Sequence, residues 1–217
     1  MLLNHLIASS ATILQQALVI TNGASADADD DIIKALLEDV GFVVTYVHDT
    51  VFSADPASYV AGMSLVVPSI EVNGSIGNDV ENITQPVVTF YEVISDNSEI
   101  THLASEENPS TSINIINTYH PITIGLSVGS LAVQGNVNLF NATISNLCTV
   151  ATVLSDLVGD STIATFVAYE SGTLLSDGDA APARRVATFV ADPSLQTLTT
   201  AGEDLIKKAF QWASGII

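Results

Sequence analysis

The sequence predicts one α/β domain: a doubly wound, mostly parallel sheet flanked by helices, with extra antiparallel strands inserted in the second half. Three observations carry this prediction. Short, continuous apolar runs such as residues 17–21 (ALVIT) are those of strands buried on both faces. In the first half these runs alternate with segments of helical period. Beyond residue 98 that period gives way to Thr/Val/Ile-rich runs punctuated by glycine turns.

Taken in order, the run 17–21 ends in Asn22-Gly23 and an acidic loop, 25–31. Ile32, Ile33, Leu36, Leu37 and Val40 then recur at helical spacing, and Gly41 stops the helix in the C-cap position. Residues 42–47 (FVVTYV) form the next strand, so this βαβ unit predicts parallel pairing with a right-handed crossover. A helical turn at 55–59 leads into a third strand, 64–68 (SLVVP). Residues 78–84 fit either a helix or a loop, and 86–91 (PVVTFY) form a fourth strand.

Between 98 and 177, the runs 112–116, 131–133, 149–154 and 162–169 predict strands and hairpins along one edge of the sheet, with turns at Gly129, Gly135-Asn136 and Gly159-Asp160. Residues 185–190 (RVATFV) return to the core, and 200–215 form a closing helix with Leu205, Ile206, Ala209, Phe210, Trp212 and Ala213 inward. Residues 1–16 read as an amphipathic helix or arm with Leu2, Leu3, Leu6, Ile7, Ile13 and Leu14 on its apolar side. They lack the basic n-region and unbroken apolar run of a secretory signal, and no stretch reaches the ~20 apolar residues of a membrane span. No internal repeat or linker is visible, which predicts a single domain over 1–217.

A chain of 217 residues with mean hydropathy +0.43 has ample material for a core. Domains of this size bury about 70% of their unfolded surface. Five basic residues (Lys34, Arg184, Arg185, Lys207, Lys208) face 24 carboxylates, for a formal net charge of -19. Such a surface repels phosphate backbones and anionic lipid, so neither nucleic acid nor membrane is expected as a partner. Charged residues are only 13% of the chain, while Ser, Thr and Asn are plentiful; that suits a surface covered by neighbouring protein or displayed outside a cell. Cys148 is the only cysteine, which excludes a disulfide framework and a thiolate metal site.

Four segments carry a family resemblance: the opening ALVITNGASADADDDIIKALLEDVGFVVTYV, the run SLVVPSIEV, the string TYHPITIGL, and the closing ARRVATFVADPSLQTLTTAGEDLIKKAFQWASG. In that order they resemble the ThuA-like domains of the class I glutamine amidotransferase-like superfamily, whose fold is flavodoxin-like. The resemblance covers most of the chain and is weakest over 136–177. It implies a site at the carboxyl ends of the strands, and in amidotransferase relatives a Cys on a strand-to-helix elbow activated by a His-Glu pair. The turn that follows the third strand here, Val67-Pro68-Ser69-Ile70-Glu71, has neither that cysteine nor the glycines of an elbow. The resemblance therefore implies the fold without the thiol chemistry.

The candidate site residues are few. Asp27, Asp29, Asp30 and Asp31 form an acidic loop at the end of the first strand. There they cap a helix N-terminus, or offer oxygens to a hard cation such as Ca²⁺, although the spacing is not that of an EF-hand. No other cofactor is implied. His120, before Pro121, is the best general-base candidate, against the plainer role of tying its turn to the backbone. Ser69 with His120 and Glu71 or Glu92 would make a nucleophile-base-acid set if the fold brought them together. His5, His48 and His102 show no zinc-ligand spacing, and the sequons at Asn73, Asn82 and Asn141 matter only in a eukaryotic secretory setting.

The absent nucleophile, the scarcity of basic residues, the Thr/Val-rich insert and the lack of a signal together predict a non-enzymatic structural module. It would be a ThuA-like fold recruited into a homo-oligomer or larger assembly, a virion or other extracellular particle, with a cytoplasmic setting as the alternative. The main alternative function is a small-molecule hydrolase or carbohydrate-binding domain with its site at the strand carboxyl ends, using Asp27, Ser69, Glu92 and His120. A Ca²⁺-dependent adhesion module is the third.

Overall fold

The computed structural model describes residues 14–23, 25–90, 92–101, 108–135, 138–140, 142–191 and 194–217. Its parallel half runs β1 (Gln15–Thr21), α1 (Ala28–Asp39), β2 (Phe42–His48), α2 (Asp49–Ala54), α3 (Pro56–Val60), β3 (Leu65–Pro68), α4 (Gly77–Glu81), β4 (Val87–Thr89) and α5 (Glu92–Asn97). The second half supplies β5 (Asn108–Pro109), β6 (Ser112–Ile115), β7 (Gly129–Ala132), β8 (Asn138–Leu139), β9 (Ala142–Thr143), β10 (Thr152–Leu157), β11 (Asp160–Tyr169), β12 (Arg185–Ala187) and α6 (Thr200–Ala213).

The main sheet has the order β2-β1-β3-β4-β12-β11-β10-β6-β7, with β9 added beside β11; β5 and β8 pair separately. Strands β2, β1, β3, β4 and β12 are mutually parallel, and β11, β10, β6 and β7 continue the sheet antiparallel. This is the doubly wound, mostly parallel architecture read from the sequence, with the antiparallel strands in the second half. The chain leaves β1 for β2 on one side and crosses to β3 on the other, which makes the β1/β3 crevice the topological switch point.

Alternation within β1 explains why its run is unbroken. Ala17 and Val19 join the core under α1 and α6, whereas Leu18 and Ile20 join the core under α2 to α5. Both faces are covered, so both sets of positions are apolar. Asp27 starts α1 in a reciprocal capping box: its carboxylate accepts from the Asp29 and Asp30 N–H groups, and Asp30 accepts from the Asp27 N–H. Gly41 then takes φ +95°, the left-handed turn that lets β2 begin at once.

The differences from the sequence reading are local. Two short helices, α2 and α5, are additional, and the first strand starts at Gln15, so the end of the proposed N-terminal helix is the start of β1 instead. The rest of that helix, residues 1–13, lies outside the described residues. β10 begins at Thr152, three positions later than the Thr-rich run suggested, because Cys148 to Val150 form the turn that leads into it. Among the described residues no helix is long and apolar enough to cross a membrane.

Candidate functional site at the strand carboxyl ends

Two polar groups gather at the carboxyl ends of β1, β2 and β3, one on each face of the sheet. On the α1 face, Asp30 is buried and the Ser69 hydroxyl faces its carboxyl group. Burial raises the Asp30 pKa above the ordinary carboxylate value, and the facing Ser69 hydroxyl and the hydrogen bond from the Asp27 N–H partly offset it. Ser69 is itself buried, and its backbone N–H donates to Ile20 O at 2.9 Å, which locks the end of β3 to the end of β1. Nearby, burial and the neighbouring Asp31 and Asp30 push the Tyr46 phenol up to about 12.

On the opposite face, the end of β2 presents His48, Asp49 and Thr50 in sequence. The Asp49 carboxylate is almost wholly buried. Its Oδ2 accepts from the Asn73 N–H at 3.0 Å, its Oδ1 accepts from the Thr50 N–H, and Oδ1 lies 2.8 Å from His48 Nδ1. The same Nδ1 accepts from the Thr50 N–H at 3.1 Å and lies 2.9 Å from Thr50 Oγ1, so His48 caps the start of α2. The His48 side chain is 29% exposed, with Nδ1 turned to the Asp49 carboxylate and to the Thr50 N–H. Beside this pair opens a cleft of about 240 Å³ lined by Asp49, Thr50, Ser53, Asn73, Ser75 and Ile76. Hydroxyls, one carboxamide and one carboxylate line it, with no cationic side chain, a lining that disfavours a phosphate.

The residues singled out from the sequence do not converge. Asp27 is the α1 cap, Asp29 and Asp30 are buried beneath it, and Asp31 is exposed on the helix. Among the described residues, the group of three or more potential ligands whose atoms lie within 4.8 Å of one another is Glu81, Asp177 and Asp179, far from this loop in sequence.

His120 stands at the other end of the sheet. β6 runs antiparallel to β10 and delivers the chain to the edge where the parallel strands begin; there the His120 ring packs on Trp212 at 4.6 Å, beside Arg184 at the entry to β12. Ser69 lies where those strands end. The Ser69–His120 nucleophile-base set is therefore corrected: the length of the sheet separates its members. Glu92 opens α5, and its side chain lies outside the described residues, as do His5, His102 and Asn141.

Sequence reasoning missed the His48–Asp49 pair. Its signal was a His-Asp-Thr string directly after a buried strand, which periodicity alone reads as a strand ending in a polar turn.

No strand-to-helix turn among these carries a thiol. The turn after β3 has Ser69, and the β4–α5 turn reads Thr89-Phe90-Tyr91-Glu92, with Tyr91 outside the described residues. Cys148 sits half-buried between β9 and β10, near Tyr169 and against the separate core cluster beneath β11.

No family model matches the sequence, and no curated protein does either. Solved structures do share the fold. A protein from Thermoplasma acidophilum, described as a GMP synthase component, is similar with TM-score 0.59 and 17% identity, over 94% of this chain and 96% of its own. A glutamine amidotransferase from Thermotoga maritima is similar with TM-score 0.55 and 11% identity, over 93% and 98%. The structure of PurLQS, also from Thermotoga maritima, is similar with TM-score 0.51 and 13% identity, over 92% and 99%.

At these identities the likeness establishes the fold: this chain has the flavodoxin-like α/β fold of the class I glutamine amidotransferase-like proteins. It also overturns the expectation of a non-enzymatic structural module. Of the three structures named, two are described as a glutamine amidotransferase and a GMP synthase component and the third is PurLQS; none of the three is described as a virion or particle protein. The virion or extracellular setting loses its support with that reading.

Proposed function

We propose that this chain is a small-molecule hydrolase of the amidotransferase-like fold that works without a thiolate, with its site at the carboxyl ends of β1 to β3. The observation that carries the reading is the His48–Asp49 pair beside a polar cleft next to the switch point. The His48 imidazole, held beside Asp49 and Thr50, is the general base that takes a proton from water as it attacks an ester, amide or glycosidic bond, and the imidazolium then gives that proton to the departing alcohol or amine. Asp30, held toward its protonated form and faced by the Ser69 hydroxyl, lies on the other side of the sheet; both are too deeply buried to touch a substrate. Within the superfamily the ThuA-like assignment belongs to the same proposal. It rests on the HPITIGL string and the closing helix, which pack together through His120 and Trp212.

A panel of neutral ester, amide and glycoside substrates tests this directly. Turnover should fall about 100-fold or more in His48→Ala, the usual contribution of a general base, and should survive Cys148→Ser. Loss of turnover on Cys148→Ser with full activity in His48→Ala would sink the reading.

A further inference from the structure

A second, larger cleft lies on the same helical face, between α3 and α4, and nothing in the hydrolytic reading uses it. Its volume is about 500 Å³, within the range of small-molecule sites. Val60 and Ile83 form its floor; they are 5% and 6% exposed and belong to the core beneath α2 to α5, and Pro56 and Ala57 extend the apolar wall. Asn78, Asp79, Asn82, Thr84 and Gln85 supply the polar lining. That is three carboxamides, a hydroxyl and one carboxylate, with no cationic side chain.

The far wall is built rather than incidental. Residues 81–85 would be an ordinary surface loop, yet a fully buried guanidinium holds its backbone. Arg185 donates to Ile83 O at 2.7 Å, to Gln85 O at 2.8 Å and to Glu81 O at 3.2 Å. Burial depresses the Arg185 pKa to about 10, opposed by Glu81, so the group stays charged near neutral pH. Desolvating a cation is expensive; what it secures here is the geometry of the loop that carries Asn82, Ile83, Thr84 and Gln85. A bond of 2.6 Å from Ser53 Oγ to Asp79 Oδ2 joins this cleft to the smaller one, since Ser53 lines one and Asp79 the other.

We propose that the α3/α4 cleft binds a neutral, hydroxyl-rich small molecule of sugar or polyol type. Carboxamides both donate and accept, and a carboxylate accepts from hydroxyls; an apolar floor receives the C–H face of such a ligand. The absence of any cation in the lining, on a chain of net charge -19, excludes phosphorylated forms. Where the hydrolytic reading also holds, this ligand is its substrate, reaching His48 past the Ser53–Asp79 bond. The binding stands without that reading.

The test is amide chemical-shift mapping on the full chain, titrated with glucose, galactose, mannitol and trehalose, and with glucose 6-phosphate as the charged control. At least one neutral compound should shift amides of residues 56–60 and 78–85. Asp79→Asn should weaken it about tenfold, the scale of one charge-assisted hydrogen bond. Asn82→Ala, at an exposed position that leaves the core untouched, should weaken it as well. The shifts report binding without turnover, so binding with no hydrolysis of any compound separates failure of the hydrolase reading from failure of this one. Absence of shifts with every neutral compound, shifts that map elsewhere, equal binding of glucose 6-phosphate, or affinity unchanged in both cleft variants would each overturn the proposal.

Discussion

His120 and Trp212 stack with ring centroids 4.6 Å apart and planes at 60°, and the Arg184 guanidinium covers the same indole at 4.5 Å. Around the imidazole, Nδ1 accepts from the Ile122 N–H at 3.3 Å, so the ring closes the turn that Pro121 initiates. The residue read from the sequence as the best catalytic base is thus a packing and turn residue, joining the 117–126 loop to the end of α6.

That contact makes a pH prediction. Burial lowers the His120 pKa below its ordinary 6.5, with Arg184 adding to the shift and Glu170 opposing it. The unfolded chain therefore binds this proton more readily than the folded one, and stability is lost as pH falls from about 6.5 through the lower folded value. His120→Gln removes the titration. Thermal melts across this window should show a smaller drop on acidification in the variant than in the parent chain; parallel curves would contradict the assignment.

The parallel half of the fold was legible because each strand between two helical layers must be apolar on both faces, and each helix shows its stripe. Ala17–Val19 and Leu18–Ile20 write that rule into consecutive positions. The site was not legible, because its members come from turns. His48 and Asp49 look like the polar end of a strand until the Asn73 N–H, brought over from the end of β3, fixes the carboxylate. Ser69 and His120 looked like partners because sequence carries no information about which end of the sheet a turn occupies; the antiparallel β6 decides it.

Arg185 yields a stability prediction. Its guanidinium satisfies three backbone carbonyls of the 81–85 loop, and Arg185→Met leaves them inside the fold without a donor. Unsatisfied buried groups cost about 1–3 kcal/mol each, partly relieved where the loop can reach water. Urea denaturation should report a loss of about 3 kcal/mol, with hydrogen exchange accelerated first at residues 81–85. A variant as stable as the parent would mean that the loop holds itself.

The capping box at α1 predicts a smaller effect. Asp27→Ala removes the acceptor for the Asp29 and Asp30 N–H groups and frees one end of the reciprocal pair. The expected cost is about 1 kcal/mol. Asp27→Asn and Asp27→Ser, which keep a side-chain acceptor, should recover most of it. If all three behaved alike, the cap would not be the role of Asp27.

The last prediction concerns Gly202, in the first turn of α6. On helix propensity alone, Gly202→Ala should stabilise the chain by about 1 kcal/mol. The packing argues the opposite. A Cβ at this position would overlap the Val133 carbonyl oxygen, a backbone atom held in place because it accepts from the Thr199 N–H at 2.9 Å, and it would also press on a Leu198 methyl at 3.2 Å. Thr199 is the α6 cap, and its hydroxyl donates to Ala132 O at 3.0 Å, so the helix start is stitched to the end of β7 just where the glycine lets it approach. An added methyl cannot be absorbed by a side-chain rotation there; the helix must back away from the strand. Overpacking of this kind costs about 1–3 kcal/mol, enough to reverse the propensity gain. A lower melting temperature in Gly202→Ala would show that close approach of α6 to β7 decides this residue, whereas a higher one would show that the helix start is free to shift.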